Sequence, residues 1–341
     1  MKIAVIGAGA IGSLVAGYLE TQRQKTGTDS PSLYEVSLIG HPSSVKAVRD
    51  SGLKISGARG AFNIRIDVAQ RLDKKAGLAI LAVKSQDLES ALKDNLKFIK
   101  DAQILTTQNG IRADDIAARY IPKENIISSI VMFGATLPAP GEIIHNFEGS
   151  WIIARAFAKN DDKVIETANL LNKAFPVIVA EDLKGMKYLK IFVNANNCIP
   201  AILGVSMQEA FSDINVARIS IGIWKEGLKI VKRAGIELVS LPDFPLERLT
   251  KLTGLPILEA AGKFCGIMLN LSKEPLYGSI LQSIKRGRAS EIDYINGEFI
   301  RLAKENNISA PLNEKLVEMV HQVEKTGKFF SKEELLGAVT V

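Results

Sequence analysis

Apolar positions recur along this chain with two different periods, and the change from one to the other divides it. Residues 2–6, KIAVI, form a short apolar run of the kind that makes a buried strand. Ile11, Leu14, Val15, Tyr18 and Leu19 then fall at helical spacing. Further strands are predicted at 34–40, 78–83, around "QILTTQNGI", near 126–133, at 142–145 and at 151–154. The stretch between the first helix and the second strand, "TQRQKTGTDSPSLY", is rich in Gly, Ser, Thr and Pro and reads as an exposed insertion. "LPAPGEI" reads as a turn, so a hairpin extending the sheet is expected there. A helix at 163–174 and a strand at 177–180 complete this half.

From about Asp161 the strand signal nearly vanishes. Helix-period segments follow at 189–199, 214–234, 257–269, 291–306 and 313–326. Pro200 is expected to end or kink the first, and Gly235 to stop the second. The pattern predicts an α/β protein: an N-terminal Rossmann-like doubly wound sheet over 1–182, followed by an all-helical domain over 183–341. No internal repeat or low-complexity tract interrupts it.

The glycines after the first strand fall as GxGxxG at Gly7, Gly9 and Gly12, with Ala8, Ala10 and Ile11 between them. In this setting the first glycine permits a tight turn, the second lets backbone approach a pyrophosphate, and the third lets helix pack on strand. The helix N-terminus then offers unpaired N–H groups to phosphate. Past the second strand, a carboxylate would favour NAD by bonding the ribose 2′-hydroxyl. The chain instead reads "HPSSVK", where His41, Ser43, Ser44 and Lys46 offer donors to a 2′-phosphate, so NADP (as NADPH) is the expected cofactor. Lys84, Gln86 and Asn109 stand at carboxyl ends of predicted strands, where ligands of such sheets bind. Asn109-Gly110 is equally a common turn pair.

Bulk properties narrow the function classes. The chain has 341 residues, is 47% hydrophobic and 23% charged, and carries a formal net charge of +6. Its basic residues are dispersed and aromatics are only 6%, which gives a nucleic-acid surface no support. A mild positive field suits a small anionic substrate. The two cysteines, Cys198 and Cys265, form no CxxC pair, and the three histidines are far apart, so neither a disulfide framework nor a metal site is expected. The apolar N-terminus holds Gly7, Gly9, Gly12 and Gly17, unlike the core of a signal peptide, and no segment is apolar enough to span a membrane. A soluble cytoplasmic protein, monomeric or homodimeric, is expected.

Two stretches do not fit a purely structural role. From Tyr188 to Gln208 the only charge is Lys190, and Lys190, Asn194 and Asn197 recur at i, i+4 and i+7. Such a face is either solvated or bound to something. Lys184, Lys187 and Lys190 also fit a plain basic stripe on a wet face. The second stretch is "GSILQSIKRGRASEIDYING", where Ser290 and Glu291 resemble a helix start and Lys285, Arg286 and Arg288 fit a solvated loop.

Four blocks in order, "KIAVIGAGAIGSLVAGYL", "LAVKSQDLESAL" with "TQNGI", "KIFVNANN" and the GSILQ…YING segment, resemble the ketopantoate reductase (2-dehydropantoate 2-reductase) family over nearly the whole length. The resemblance implies NADPH-dependent reduction of a 2-keto acid in a cleft between a Rossmann domain and a helical domain. It implies that Lys190 is the catalytic lysine and Glu291 the acidic residue beside the reacting oxygen. Asn194 would bind substrate, Ser279 its carboxylate, Asn109 the nicotinamide ribose and substrate, and Lys84 the cofactor. The chain departs from the family where His41 replaces a common arginine, where Cys198 replaces a second asparagine with Asn197 one residue earlier, and where Ser283 replaces a common aspartate. Asn197 either substitutes for the missing asparagine or the substrate's distal hydroxyl is held otherwise. Three functions stay open: a ketopantoate reductase, a reductase of another small keto or imino acid, and a non-catalytic NADP-binding sensor. Lys190 with Glu291 counts against the sensor, which needs no proton donor.

Overall fold

A computed structural model describes residues 1–25, 34–272 and 274–340; most of the expected insertion, 26–33, lies outside the described residues. The chain divides into two compact units, Met1–Gln108 with Arg112–Leu183, and Asn109–Ile111 with Lys184–Val341.

In the first unit the elements run β1 (Lys2–Ile6), α1 (Ala10–Lys25), β2 (Glu35–Ile39), α2 (Pro42–Ser51), β3 (Leu53–Gly57), β4 (Phe62–Ile64), β5 (Asp67–Ala69), β6 (Leu78–Leu81), α3 (Leu88–Ile99), β7 (Gln103–Thr106), α4 (Ala113–Ala117), β8 (Ile126–Val131), β9 (Gly134–Ala139), β10 (Glu142–Phe147), β11 (Trp151–Arg155), α5 (Asp162–Leu171) and β12 (Val177–Val179). An eight-stranded sheet has the order β12-β11-β8-β7-β6-β1-β2-β5. Its strands are parallel from β5 to β8, and β11 returns antiparallel on β8. The central strands are buried on both faces, which is why they read as unbroken apolar runs. One face packs with α1 and α5, and the other carries Leu88, Leu92 and Ile99 of α3.

The hairpin near Pro140 does not extend this sheet. β9 and β10 join β3 and β4 in a separate four-stranded sheet, order β4-β3-β10-β9, with β10 parallel to β3. The turn is also tighter than "LPAPGEI" implied, because β9 runs to Ala139 and Gly141 supplies the positive φ of +81°. α1 packs closely on this second sheet at Gly17, where a Cβ would lie 2.5 Å from Ile55 Cδ1 and 3.1 Å from Leu53 Cδ2.

The second unit contains α6 (Leu183–Ala195), α7 (Cys198–Leu203), α8 (Met207–Ala210), α9 (Ile214–Arg233), α10 (Leu246–Gly254), α11 (Ile257–Leu269), α12 (Ser279–Lys285), α13 (Asn296–Glu305), α14 (Pro311–Thr326) and α15 (Lys332–Ala338). The long amphipathic α9 is its centre. Trp224 donates its indole N–H to Phe192 O at 2.8 Å, and Phe192 meets Phe299 edge-on at 4.9 Å between centroids. The Glu226 carboxylate of α9 accepts the Leu312 and Asn313 N–H groups at the start of α14, satisfying donors that a helix end leaves free.

Two expectations fail here. The segment 189–199 is not one helix: α6 ends at Ala195 and α7 begins at Cys198, with Asn197 as its N-cap. Pro200 then falls in the first turn of a new helix, where its missing N–H costs nothing, so it neither ends nor kinks α6. Similarly, 291–306 opens with a short 3-10 turn, Ile292–Tyr294, before α13 starts at Asn296. Gly235, with φ +65°, does follow the end of α9.

Gly17 offers a test of the contact between α1 and the second sheet. Replacing a mid-helix glycine ordinarily helps, by about 1 kcal/mol for alanine. Here Gly17→Val drives branched methyls into Ile55, Leu53 and Ile64, and overpacking of about 1–3 kcal/mol should outweigh that gain. Urea unfolding of the two proteins should show a lower midpoint for the variant; an equal or higher one would contradict this packing.

Candidate active site

The first unit supplies a phosphate-sized cradle made of backbone. Gly7 has φ +119°, and a Cβ there would lie 2.5 Å from the Ala82 carbonyl carbon. Its N–H donates to Ile39 O at 2.8 Å, tying the turn to the end of β2. A Cβ at Gly12 would sit 2.0 Å from Gly7 O, so only glycine lets α1 start so close to the turn. Nothing lies within 4 Å of the corresponding point on Gly9, which leaves that backbone open to a ligand. Ala10 begins α1, whose first turn carries no acidic residue to repel an anion. Ala8 and Ile11 pack against the core, and Ala8 also touches Gly40 closely enough that a Cβ there would clash at 2.4 Å. These features fit a dinucleotide's pyrophosphate.

Beyond β2, His41 is the N-cap of α2, with Pro42 in the first turn. Its Nδ1 lies 3.1 Å from Ser43 Oγ. Ser44 is buried and Ser43 exposed, and α2 has no acidic residue in its first turn. Lys46 lies a turn further on and pairs with Asp50 at 2.9 Å, an exposed pair that costs little to open. Lys84 is half-buried where β6 ends, heading a one-turn 3-10 helix, Ser85–Asp87. The Gln108 amide fixes this edge by donating to Leu81 O and Val83 O at 2.8 and 2.9 Å. Gln86 is exposed.

The second unit gathers four of the sequence's candidates. Asn109 donates from Nδ2 to Glu291 Oε2 at 3.2 Å and accepts from Asn194 Nδ2 at 3.3 Å. Lys190, one turn before Asn194 on α6, is half-buried. Burial pushes its ammonium down to about 8; Glu291 pulls it back up, and Lys187 pushes it further down. Asn109-Gly110 is therefore more than a turn. A Cβ at Gly110, where φ is +82°, would lie 2.3 Å from Tyr294 O, so glycine is what lets the Asn109–Ile111 segment lie against the loop carrying Glu291.

Glu291 occupies the N-cap position of the 3-10 turn Ile292–Tyr294, but its side chain makes no cap bond. The loop is held instead by Ser290, whose Oγ accepts the Ile292 N–H at 3.2 Å and whose N–H donates to Glu324 Oε1 of α14 at 2.7 Å. Nothing in the sequence near 324 marked that role. The basic stripe on α6 is not uniformly wet either: Lys184 is exposed, while Lys187 is 6% exposed.

Asn197, no longer on α6, packs beside the start of α12: a Cβ on Gly278 would lie 3.1 Å from Asn197 Cγ. Ser279, next to Gly278, is exposed, and its carbonyl accepts the hydroxyl of buried Ser283 at 2.8 Å. Cys198 faces the core beside Asn296 Nδ2 at 3.8 Å, and burial pushes its thiol up to about 12. Lys285, Arg286 and Arg288 are exposed around Gly287. Among the described residues, no group of three or more His, Cys, Asp or Glu is arranged to hold a metal ion, and no helix is long and apolar enough to cross a membrane.

The sequence profile described as Ketopantoate reductase PanE/ApbA matches residues 3–156, and its C-terminal counterpart matches 182–324. The chain belongs to the ketopantoate reductase family. It is an oxidoreductase of the 2-dehydropantoate 2-reductase type. The 2-dehydropantoate 2-reductase of Pyrococcus abyssi is 32% identical over 317 residues, covering 92% of this chain and 94% of that protein. That of Pyrococcus horikoshii is also 32% identical, covering 96% and 99%. Among solved structures, D-mandelate dehydrogenase with NADH and anilino(oxo)acetate superposes with a TM-score of 0.80 at 26% identity, covering 96% of this chain and 99% of that one. A family ketopantoate reductase from Ralstonia eutropha JMP134 gives 0.77 at 22% identity, covering 95% and 99%, a likeness of fold.

The charge balance around Lys190 predicts its response to a change at Glu291. The carboxylate raises the lysine's pKa, so Glu291→Gln should lower it below about 8. An NMR titration of the lysine Cε resonances, assigned with Lys190→Met, reads this directly. An unmoved or raised midpoint would show that the two groups are not coupled.

Proposed function

We propose that the protein reduces the 2-keto group of 2-dehydropantoate to give pantoate, using NADPH. The observation that supports this best is the cluster in the second unit: a lysine of lowered basicity on α6, beside a carboxylate that is hydrogen-bonded through Asn109 to Asn194. A bound NADPH would supply the hydride to the keto carbon, with its pyrophosphate on the Gly7–Gly12 turn and its 2′-phosphate near His41, Ser43 and Ser44. As the carbonyl oxygen gains negative charge, Lys190 stabilises it and gives it a proton, and the neutral amine is then reprotonated from solvent. A pKa of about 8 leaves Lys190 mostly protonated at neutral pH yet a better acid than an ordinary lysine. Glu291 holds the ammonium and the reacting oxygen in register. Asn194 and Asn197 bond substrate hydroxyl or carboxylate oxygens without adding charge, and the exposed Ser279 hydroxyl bonds the carboxylate. Lys84 stands at the cofactor side of the sheet edge.

A second reading is favoured by the D-mandelate dehydrogenase likeness, in a structure that carries NADH. In that reading the substrate is a different small 2-keto acid. Cys198, where the family resemblance expects a second asparagine, is buried in the core, and Asn197 stands at the N-cap of α7, so the distal end of the substrate is where such a difference would lie. Turnover of a panel of 2-keto acids, followed by NADPH and NADH absorbance, separates the two.

Lys190→Ala should lower kcat by roughly 100- to 10,000-fold, the range for a positioned acid, in a protein of normal thermal stability and normal NADPH affinity. A kcat within a few-fold of the parent on the best substrate would remove Lys190 from the chemistry. For the cofactor, kcat/KM should be higher with NADPH than with NADH. His41→Asp should move the preference toward NADH by repelling the 2′-phosphate. Equal use of both cofactors by the parent would sink the NADPH assignment.

A further inference from the structure

The large sheet ends at β5, and the chain leaving that strand carries a guanidinium. β5 runs parallel to β2, with Ser37 opposite Asp67 and Ile39 opposite Ala69, so the carboxyl ends of the two strands lie side by side. The Gly40 N–H donates to Ala69 O at 3.0 Å, and the Gly7 N–H donates to Ile39 O at 2.8 Å. The exit of β5 is thereby tied, through β2, to the glycine turn. Arg71 follows two residues after Ala69, at most about 7 Å of chain away. Leu72, next to it, is buried, and its N–H donates to Asn95 Oδ1 at 3.2 Å, which fixes the loop just past the arginine. Arg71 itself is exposed, and among the described residues it has no hydrogen-bond or ion-pair partner. The charged groups around it have partners of their own. Lys46 pairs with Asp50, and Arg49 donates to Val68 O at 3.4 Å. Asp67 accepts the Ser37 hydroxyl two positions before the strand ends, and Asp73 pairs with Lys2 at 3.3 Å.

We propose that Arg71 is the guanidinium that holds the 2′-phosphate of NADPH in this chain, reaching it from the exit of β5 rather than from the end of β2. In a sheet of this kind the adenosine ribose lies beyond the carboxyl end of the second strand, and an arginine nearby accommodates the 2′-phosphate. His41, Ser43 and Ser44 offer that phosphate single hydrogen bonds. A guanidinium is permanently charged and presents a planar fork that meets two phosphate oxygens at once. Neighbouring strands are about 4.8 Å apart, so a long side chain starting just past β5 spans the gap to the end of β2. A dinucleotide without the 2′-phosphate gives Arg71 nothing to hold, so the residue sets the choice of cofactor and takes no part in the reaction. The inference rests on the NADPH reading above and names the residue that would carry most of it.

The test is equilibrium binding of NADP+ and of NAD+ to the full-length protein, measured by isothermal titration calorimetry in the parent, Arg71→Gln and Arg71→Lys. The parent should bind NADP+ more tightly than NAD+. Arg71→Gln should weaken NADP+ by roughly 10- to 100-fold, the loss expected for a charge-assisted contact. NAD+ should weaken far less, so the ratio of the two dissociation constants falls by nearly the same factor. Arg71→Lys keeps the charge but not the fork, and its ratio should lie between the other two. Because the side chain is exposed and has no partner among the described residues, the thermal midpoint of the nucleotide-free protein should stay near the parent's. A parent-like ratio in Arg71→Gln overturns the proposal and leaves the NADPH reading standing. Equal weakening of both nucleotides would mean that Arg71 shapes the loop without reading the phosphate, and also overturns it. A parent that binds NAD+ as tightly as NADP+ overturns the NADPH reading and this assignment with it. That outcome is read from the parent alone, so the two failures are told apart.

Discussion

The amide of Asn109 is the joint on which the candidate site depends. One side chain accepts from Asn194 and donates to Glu291, so a helix residue and a loop residue far apart in sequence are held by a single planar group. An amide suits this because it offers donor and acceptor at once and has no charge of its own. A carboxylate there would face Glu291 across a repulsive gap, and an ammonium would take Glu291 away from Lys190. The geometry is available only because Gly110 adopts a left-handed conformation against the Tyr294 carbonyl.

The two units build their candidate sites from different materials. The first uses main chain: glycines at 7 and 12 clear the space, α1 contributes its N-terminal dipole, and side chains matter mainly for fixing the strand ends, as Gln108 does. The second uses side chains whose protonation and hydrogen bonding are set by partial burial.

Much of the first unit was legible because strands buried on both faces are apolar throughout. The smaller sheet was legible only at the strand near 142–145; β3 and β4 are short and half-exposed, so their pattern resembles surface loop, and nothing local assigns the hairpin to a second sheet. α2 was hidden by its opening His-Pro-Ser-Ser, which reads as a turn until its proline is placed in the first helical position. The break between α6 and α7 is not marked in the sequence because asparagines do not stop a helix as clearly as glycine, and Pro200 points to an end four residues too late. For the site, periodicity brought Lys190 and Asn194 together, but neither spacing nor composition links Asn109 to Glu291. That pairing came from the family resemblance, and the hydrogen bonds were visible only in three dimensions. Lys187 and Glu324 were missed because burial, not residue type, distinguishes them from surface charges.

The Asn109–Ile111 segment has a topological consequence. It belongs with the helical unit although the chain on either side of it belongs with the sheet unit, so the polypeptide passes from one unit to the other at three points: after Gln108, after Ile111 and after Leu183. The helical unit is thus not a contiguous module that recombination could transfer with one cut. A fragment beginning at Lys184 would carry Lys190, Asn194 and Glu291 but not the amide that joins two of them. Any exchange of the helical unit for that of another protein would have to carry three residues from within the sheet unit's stretch of sequence with it.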